Sequence, residues 1–208
     1  MGVDFGINSI VTTSDGVEHS ADGLNAYREH RQKVRSSIQS KDTRSSRKLL
    51  KRLSGKERTH SSIVNHTIAK SIVQSAKEQG RGIAIEDLTG IRFTSKRRNK
   101  KFRTKLGKWN FSDLRKKIEY KALLNGVKCV AVDPRYTSQT CSTCKHIGKR
   151  TNKHFKCNNC GNDMDADHNA ALNIATLGAS VNMPERWNDM CCTVHSFTSK
   201  AQPSLVVG

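Results

Sequence analysis

Apolar and polar residues follow one another along this chain in blocks whose period changes several times. Residues 2–13 read Gly-Val-Asp-Phe-Gly-Ile-Asn-Ser-Ile-Val-Thr-Thr, a β-rich run, and Ser14-Asp15-Gly16 supplies turn chemistry before Val17-Glu18-His19. A hairpin is predicted at the very start. From Leu24 to Gly80 there is no proline, and long polar side chains dominate. Leu49, Leu50 and Leu53, then Ile63, Val64, Ile68, Ile72 and Val73, recur at spacings of three and four, which predicts two helices broken near Ser54-Gly55. Gly82 to Leu88 is a short apolar strand that runs into acids. Residues 92–108 have no usable period and read as a loop. Residues 111–125 are an amphipathic helix closed by Asn125-Gly126, followed by a strand over 127–132 that Asp133-Pro134 stops. Asp165 to Leu177 is an Ala/Leu/Ile helix, and residues 180–208, with two of the three prolines, read as a loosely packed tail. No internal repeat is visible.

Strands followed by helix, strand, helix, strand and helix predict a mixed α/β fold. A cysteine-rich module over 138–161 falls between the last strand and the last helix. The length of 208 residues suits one domain, or one domain plus a small module. A chain of this size buries roughly 70% of its unfolded surface, although only 35% of its residues are hydrophobic. No apolar run approaches the roughly 18 residues of a membrane span. The opening Met-Gly-Val-Asp lacks a basic and apolar leader, so no secretory signal is expected. Residue 6 is glycine, which weakens an N-myristoylation reading. The expected location is cytoplasmic, in association with the nucleoid.

Charge narrows the class of partner. There are 37 Lys+Arg against 18 Asp+Glu, a formal net charge of +19. Residues 28–58 hold twelve basic side chains against Glu29, Asp42 and Glu57, and residues 92–108 hold nine and no acid. These two blocks carry nearly all of the net charge. Each is able to neutralise several phosphates and release their counterions, which points to DNA or RNA and a steep salt dependence. Neither block has the wide apolar face of a membrane-surface helix, so no membrane partner is expected. The plainer alternative for each is a solvated helix face or loop.

The most specific motif is Cys141-x2-Cys144-x12-Cys157-x2-Cys160. Two such knuckles place four thiolates around one zinc ion, the closed shell of a structural site. So short a segment has too few apolar residues to fold without the metal. Gly148 and Gly161 help the chain turn back on the ion. His146 and His154 lie nearby, but four cysteines already fill the shell. Cys129 reads as core, and Cys191 and Cys192 receive no role. A second signal is a set of acids at element ends: Asp4 between Val3 and Phe5, Glu86 after Ile83-Ala84-Ile85, and Asp165 and Asp167 at a helix start. Divalent-metal phosphodiester chemistry gathers carboxylates from separate segments, and their hard oxygens suit Mg²⁺ or Mn²⁺ where thiolates suit zinc. Taken singly, each acid is as well explained as a turn or cap residue, Asp165 as an N-cap above all.

Four runs, read in order, resemble a known family. Gly-Val-Asp-Phe-Gly (2–6), Gly-Ile-Ala-Ile-Glu-Asp-Leu-Thr-Gly-Ile-Arg (82–92), Tyr-Thr-Ser-Gln-Thr-Cys-Ser-Thr-Cys (136–144) and Asp-Ala-Asp-His-Asn-Ala-Ala-Leu-Asn-Ile (165–174) are similar to the OrfB/TnpB proteins of insertion sequences, relatives of the type V CRISPR effector nucleases. The resemblance implies an RNase H-like (RuvC) nuclease fold, a mixed sheet with flanking helices, interrupted by a zinc ribbon. It implies a core over 1–137 with a basic helical insertion at 24–80, a ribbon over 138–163, a last helix over 164–180 and a tail over 181–208. By the same resemblance Asp4, Glu86 and Asp167 are the catalytic carboxylates and ligands of Mg²⁺ or Mn²⁺, with Asp165 set aside. Cys141, Cys144, Cys157 and Cys160 hold zinc. The family cuts DNA with a guide RNA and is associated with transposition.

Two departures are visible. The chain begins three residues before Asp4, whereas family members carry a substantial N-terminal portion, so a chain lacking that portion is expected. Lys145 stands where the first knuckle usually has glycine. Two functions follow: a Mg²⁺-dependent DNA endonuclease, or a truncated fragment that binds DNA or RNA without cutting. In the first, Trp109, Phe102 or Phe111 are able to stack on bases, with packing against the sheet the favoured role for Trp109 and Phe111. A zinc-ribbon transcription-type protein leaves the acids unexplained.

Overall fold

The computed structural model describes residues 1–7, 9–88 and 111–181. The basic loop 92–108, Phe102, Trp109, Cys191, Cys192 and nearly all of the tail lie outside them.

The N-terminal run is not one hairpin arm but two strands, β1 (Gly2–Phe5) and β2 (Ser9–Thr13), followed by β3 (Glu18–Ser20). The run divides at Gly6, where a Cβ would lie 2.5 Å from the Ser9 carbonyl oxygen, an approach that only glycine permits. A second turn uses Gly16 at φ +80°.

The basic segment forms α1 (Asp22–Gln39) and α2 (Arg44–Glu78). The expected break at Ser54-Gly55 is absent; Gly55 sits inside α2, exposed, at a cost of about 1 kcal/mol against alanine. The chain breaks earlier, where Thr43 and Ser46 form a reciprocal capping box: Ser46 N–H donates to Thr43 Oγ1 at 3.1 Å, and Thr43 N–H to Ser46 Oγ at 2.9 Å. A cap that satisfies two helix-end donors outweighs one solvated glycine.

Next come β4 (Ile83–Glu86), α3 (Phe111–Leu124) and β5 (Cys129–Val132). The five strands form one sheet in the order β3-β2-β1-β4-β5. β1 is antiparallel to β2 and parallel to β4, and β4 is parallel to β5. Strand periodicity sorts the side chains of this sheet. Val3, Phe5, Ile83 and Ile85 face α2 and α3 and join Ile72, Leu114 and Ile118 in the main core. Phe111 is part of that core, 6.2 Å from the ring of Phe5, so it packs as favoured. Cys129 is half-buried, and burial pushes its thiol up to about 12.

The opposite face carries Gly2, Asp4, Ala84 and Glu86. Beyond β5 the chain builds a three-stranded antiparallel unit, β6 (Lys149–Thr151), β7 (His154–Lys156) and β8 (Asp163–Asp165). It then returns as α4 (Ala166–Ser180). The small residues of the sheet let this helix approach closely. A Cβ on Gly2 would lie 2.0 Å from the Ala171 carbonyl oxygen, and one on Gly178 would lie 2.2 Å from Ala84 Cβ. Among the described residues, no helix is long and apolar enough to cross a membrane.

Candidate carboxylate cleft and cysteine cluster

Asp4 and Glu86 sit at equivalent places on adjacent parallel strands, because Gly2 pairs with Ala84 and Val3 with Ile85. Both side chains therefore leave the sheet on the same side, at the carboxyl ends of β1 and β4. Asp167 arrives from the first turn of α4. Residues 167, 171, 175 and 178 share one helix stripe at spacings of four, four and three, and that stripe is the one pressed on Gly2 and Ala84. The three acids line one open cleft of about 970 Å³. Asp165 caps α4 instead, accepting from Asp167 N–H at 2.9 Å and His168 N–H at 3.0 Å.

Asp4 and Glu86 are only 8% and 6% exposed. Burial pushes the Asp4 carboxyl well above its usual range, and the charges of Glu86 and Asp167 push the same way. Burial likewise pushes Glu86 up to about 7, against the Thr137 hydroxyl and the Arg150 guanidinium, which favour its ionised form. Asp167 is raised by burial, with Arg150 opposing. Arg150 Nη2 donates to Asp167 Oδ1 at 2.8 Å, and Thr137 Oγ1 donates to Glu86 Oε1 at 2.7 Å. Lys153 reaches across to Ser9 Oγ at 3.0 Å and Glu18 Oε1 at 2.8 Å, tying the β6–β7 turn to the sheet.

Sequence reasoning missed Arg150 and Thr137. Arg150 lay in a polar stretch with no distinguishing period. Thr137 stands in the sequence as one residue of the run that leads into the cysteine motif. Buried like charges whose ionisation is opposed by their surroundings make a donor set that a divalent cation would satisfy. Three carboxylates from three segments are hard oxygen donors of the kind Mg²⁺ or Mn²⁺ takes, so the residues fit such an ion. Their oxygens do not converge as tightly as the thiol set described next; Arg150 holds Asp167 instead.

All four ligand atoms of Cys141, Cys144, Cys157 and Cys160 lie within 4.8 Å of one another, the one such set among the described residues. Cys141 Sγ is 3.6 Å from Cys160 Sγ, and Cys144 Sγ is 3.5 Å from Cys157 Sγ. The backbone N–H of His146 draws the Cys144 thiol down to about 5. At Cys160 the backbone N–H of Asn162 pulls the same way, but hydrogen bonds to Cys144, Cys141 and Cys157 outweigh it and push that thiol up to about 12. What suits zinc is the closeness of four sulfur donors. Phe155, fully buried, packs beneath the cluster with Cys141, Cys157 and Ala166. Gly148 serves less as a turn than as a bare surface for this ring, since a Cβ there would lie 2.5 Å from Phe155 Cζ. Gly161 does turn, at φ +74°, and Lys145, standing where the resemblance leads to an expected glycine, takes φ 63°. The histidines stay outside the cluster: His146 Nδ1 lies 3.1 Å from the Cys144 carbonyl oxygen, and His154 Nε2 pairs with Asp163 Oδ1 at 2.5 Å.

The strand order, the helix laid across β1 and β4, and the inserted four-cysteine unit define an RNase H-like α/β fold interrupted by a zinc-ribbon-like module. A domain family described as "Cas12f1-like, TNB domain" matches residues 111–174. The chain is 44% identical over 115 residues to the CRISPR-associated endodeoxyribonuclease Cas12f1 of Sulfoacidibacillus thermotolerans, covering 53% of this chain and 26% of that protein. It is 34% identical over 149 residues to TnpB-like protein MJ0751 of Methanocaldococcus jannaschii, covering 71% of this chain and 53% of that one. A cryo-EM structure of the Cas12f1–sgRNA–target DNA complex superimposes with a TM-score of 0.67 at 24% identity, over 84% of this chain and 48% of that one. A CRISPR-Cas12f ternary complex does so with a TM-score of 0.69 at 23% identity, over 84% and 38%. Over the matched stretches the chain is similar to TnpB-like and Cas12f proteins. It spans between about a quarter and about half the length of these curated relatives.

Proposed function

We propose that this chain is a RuvC-type, divalent-metal-dependent DNA endonuclease, guided by RNA and associated with transposition, and that it acts in the cytoplasm beside the nucleoid. The observation that supports this most is the meeting of Asp4, Glu86 and Asp167, from β1, β4 and α4, in one cleft edged by Lys149, Arg150 and Lys153. Asp4, Glu86 and Asp167 would hold Mg²⁺ or Mn²⁺. When bound, the metal polarises the scissile phosphate and makes water a better nucleophile at neutral pH. The chain's own residues do the rest. The sheet and α4 fix the three carboxylates on rigid elements, and Thr137 orients Glu86. Lys149, Arg150 and Lys153 offer positive charge to the phosphates of a strand in the cleft. The basic α1–α2 pair grips the backbone further out. Zinc in the four-cysteine shell would fix the ribbon that carries Arg150, in a chain organised as a nuclease core over 1–137 with a helical insertion at 24–80, a ribbon over 138–163, a last helix over 164–180 and a tail over 181–208.

Relatives named as endodeoxyribonucleases, and a neighbour solved with a single guide RNA and target DNA, support DNA and RNA as partners. The test is cleavage of labelled single-stranded DNA by the purified chain in Mg²⁺ or Mn²⁺, beside Glu86→Ala. Metal-dependent cutting that vanishes in the variant is expected. DNA retained on the protein but never cut would make this a binding fragment instead.

A further inference from the structure

The last helix does more than deliver Asp167. Two of its asparagines, Asn169 and Asn173, are 0% and 5% exposed, and both spend their amides on one neighbouring segment. Asn169 Nδ2 donates to the Thr140 carbonyl at 2.7 Å, and Asn169 Oδ1 accepts from Ser142 N–H at 2.9 Å. Asn173 Nδ2 donates to the carbonyls of Thr137 at 2.9 Å and Thr140 at 2.7 Å, while its Oδ1 accepts from Lys145 Nζ at 3.3 Å. These residues bracket the first cysteine knuckle: Ser142 follows Cys141, and Lys145 follows Cys144. At the other end of the segment, the Thr137 hydroxyl lies 2.7 Å from Glu86 Oε1 and 3.1 Å from the Pro134 carbonyl. It has one proton to give, and the ionised carboxylate is the stronger acceptor.

We propose that Thr137 is a positioning residue for Glu86, and that the Asn169–Asn173 clamp makes this positioning depend on the cysteine knuckle. The carboxylate cleft and the ribbon are thereby linked through residues 137–145. The inference rests on the reading of Glu86 as a metal-holding carboxylate and adds the source of its orientation. Glu86 Oε1 receives its hydrogen bond from a side chain whose own backbone carbonyl is tied to α4. The same asparagine that ties it reaches Lys145 beside Cys144, so displacement of the knuckle is passed to the hydroxyl over Glu86. Asp167 rides on that helix too, and two of the three acids therefore take their places from one element.

The experiment uses the full chain with zinc bound and measures Mn²⁺ binding from the loss of the free-ion EPR signal, with Glu86→Ala defining the part that depends on Glu86. Thr137→Val keeps the side-chain shape and removes the hydroxyl; a bond to a charged group is strong enough for Mn²⁺ binding to weaken by about tenfold. Thr137→Ser, which keeps the hydroxyl, is expected to restore it. Asn173→Ala should weaken Mn²⁺ binding several-fold in the wild-type background and by less than about twofold in Thr137→Val, because both act on one path. Thermal melts identify variants that have merely lost their fold. Wild-type Mn²⁺ affinity in Thr137→Val, no rescue by Thr137→Ser, or no Glu86-dependent binding at all would each overturn the proposal. DNA cleavage is read in parallel and separates the two inferences. Cutting with an unaffected Thr137→Val leaves the nuclease and removes the link. Mn²⁺ binding that weakens as expected in a chain that never cuts leaves the link and removes the nuclease.

Discussion

Replacing Glu86 by glutamine tests the cleft's electrostatics without touching its shape. The amide keeps an oxygen for the Thr137 hydroxyl and removes the charge. In the folded chain burial pushes Glu86 from 4.5 up to about 7. The protonated form is therefore favoured by folding, and its stabilisation is complete below the unfolded value and lost as pH rises through the folded one. At 1.36 kcal/mol per pH unit, the span from 4.5 to about 7 corresponds to roughly 3 kcal/mol, of which about 2–3 falls between pH 5 and pH 8. Asp4, also raised by burial, adds a loss of the same sign. His19, which burial holds below its usual value, acts in the opposite sense around neutrality. Subtracting the Glu86→Gln curve from the wild-type curve removes background titrations such as that of His19. Urea unfolding of zinc-loaded protein, free of other divalent ions, should show the variant gaining about 2–3 kcal/mol on the wild type between pH 5 and pH 8. Millimolar Mg²⁺ at pH 8 should return stability to the wild type and much less to the variant. A flat difference curve would refute the assignment of a buried, charge-opposed carboxylate to this position.

Gly178→Ala should destabilise the chain by roughly 1–2 kcal/mol in urea, because overpacking outweighs the gain of about 1 kcal/mol in helix propensity. The new Cβ would stand 2.2 Å from Ala84 Cβ, and a more stable variant would show that α4 has room to shift. Changing the exposed Arg44, Lys48, Lys51 and Arg52 of α2 to glutamine should lower the slope of log K against log salt for duplex DNA by roughly 3. An unchanged slope would take this face of the helix out of the nucleic-acid interface.

Much of the fold was legible because its elements carry local signals. Ile83 to Glu86 is a short apolar strand, α3 ends where Asn125-Gly126 says it should, and four cysteines in two knuckles announce their own cluster. The errors fell where one local signal competed with another. Gly55 looked like a helix break, but Thr43 and Ser46 offered a better one, and an exposed glycine inside a helix costs little. Gly6 looked like part of a continuous strand because its close approach to Ser9 is visible only in three dimensions. The acids could be suspected one by one from their places at element ends. Their common cleft depends on strand register and on a helix stripe from the far end of the chain. Arg150 and Thr137 act across long sequence separations, and nothing in their neighbours predicts whom they meet. Asn169 and Asn173 did leave a trace, as two amides four residues apart in a helix whose middle is built mainly of Ala, Leu and Ile.

The pairing of β1 with α4 also orders events in time. Asp4 belongs to the first strand and Asp167 to the last described helix, and that helix seats itself against Gly2 and Ala84. Contacts between such distant parts of a chain form late, after the intervening loops have been closed. The cleft is thus unfinished until synthesis has passed the ribbon and α4 has docked. A nascent chain emerging beside nucleic acid would carry its basic helices before it carried a complete set of carboxylates.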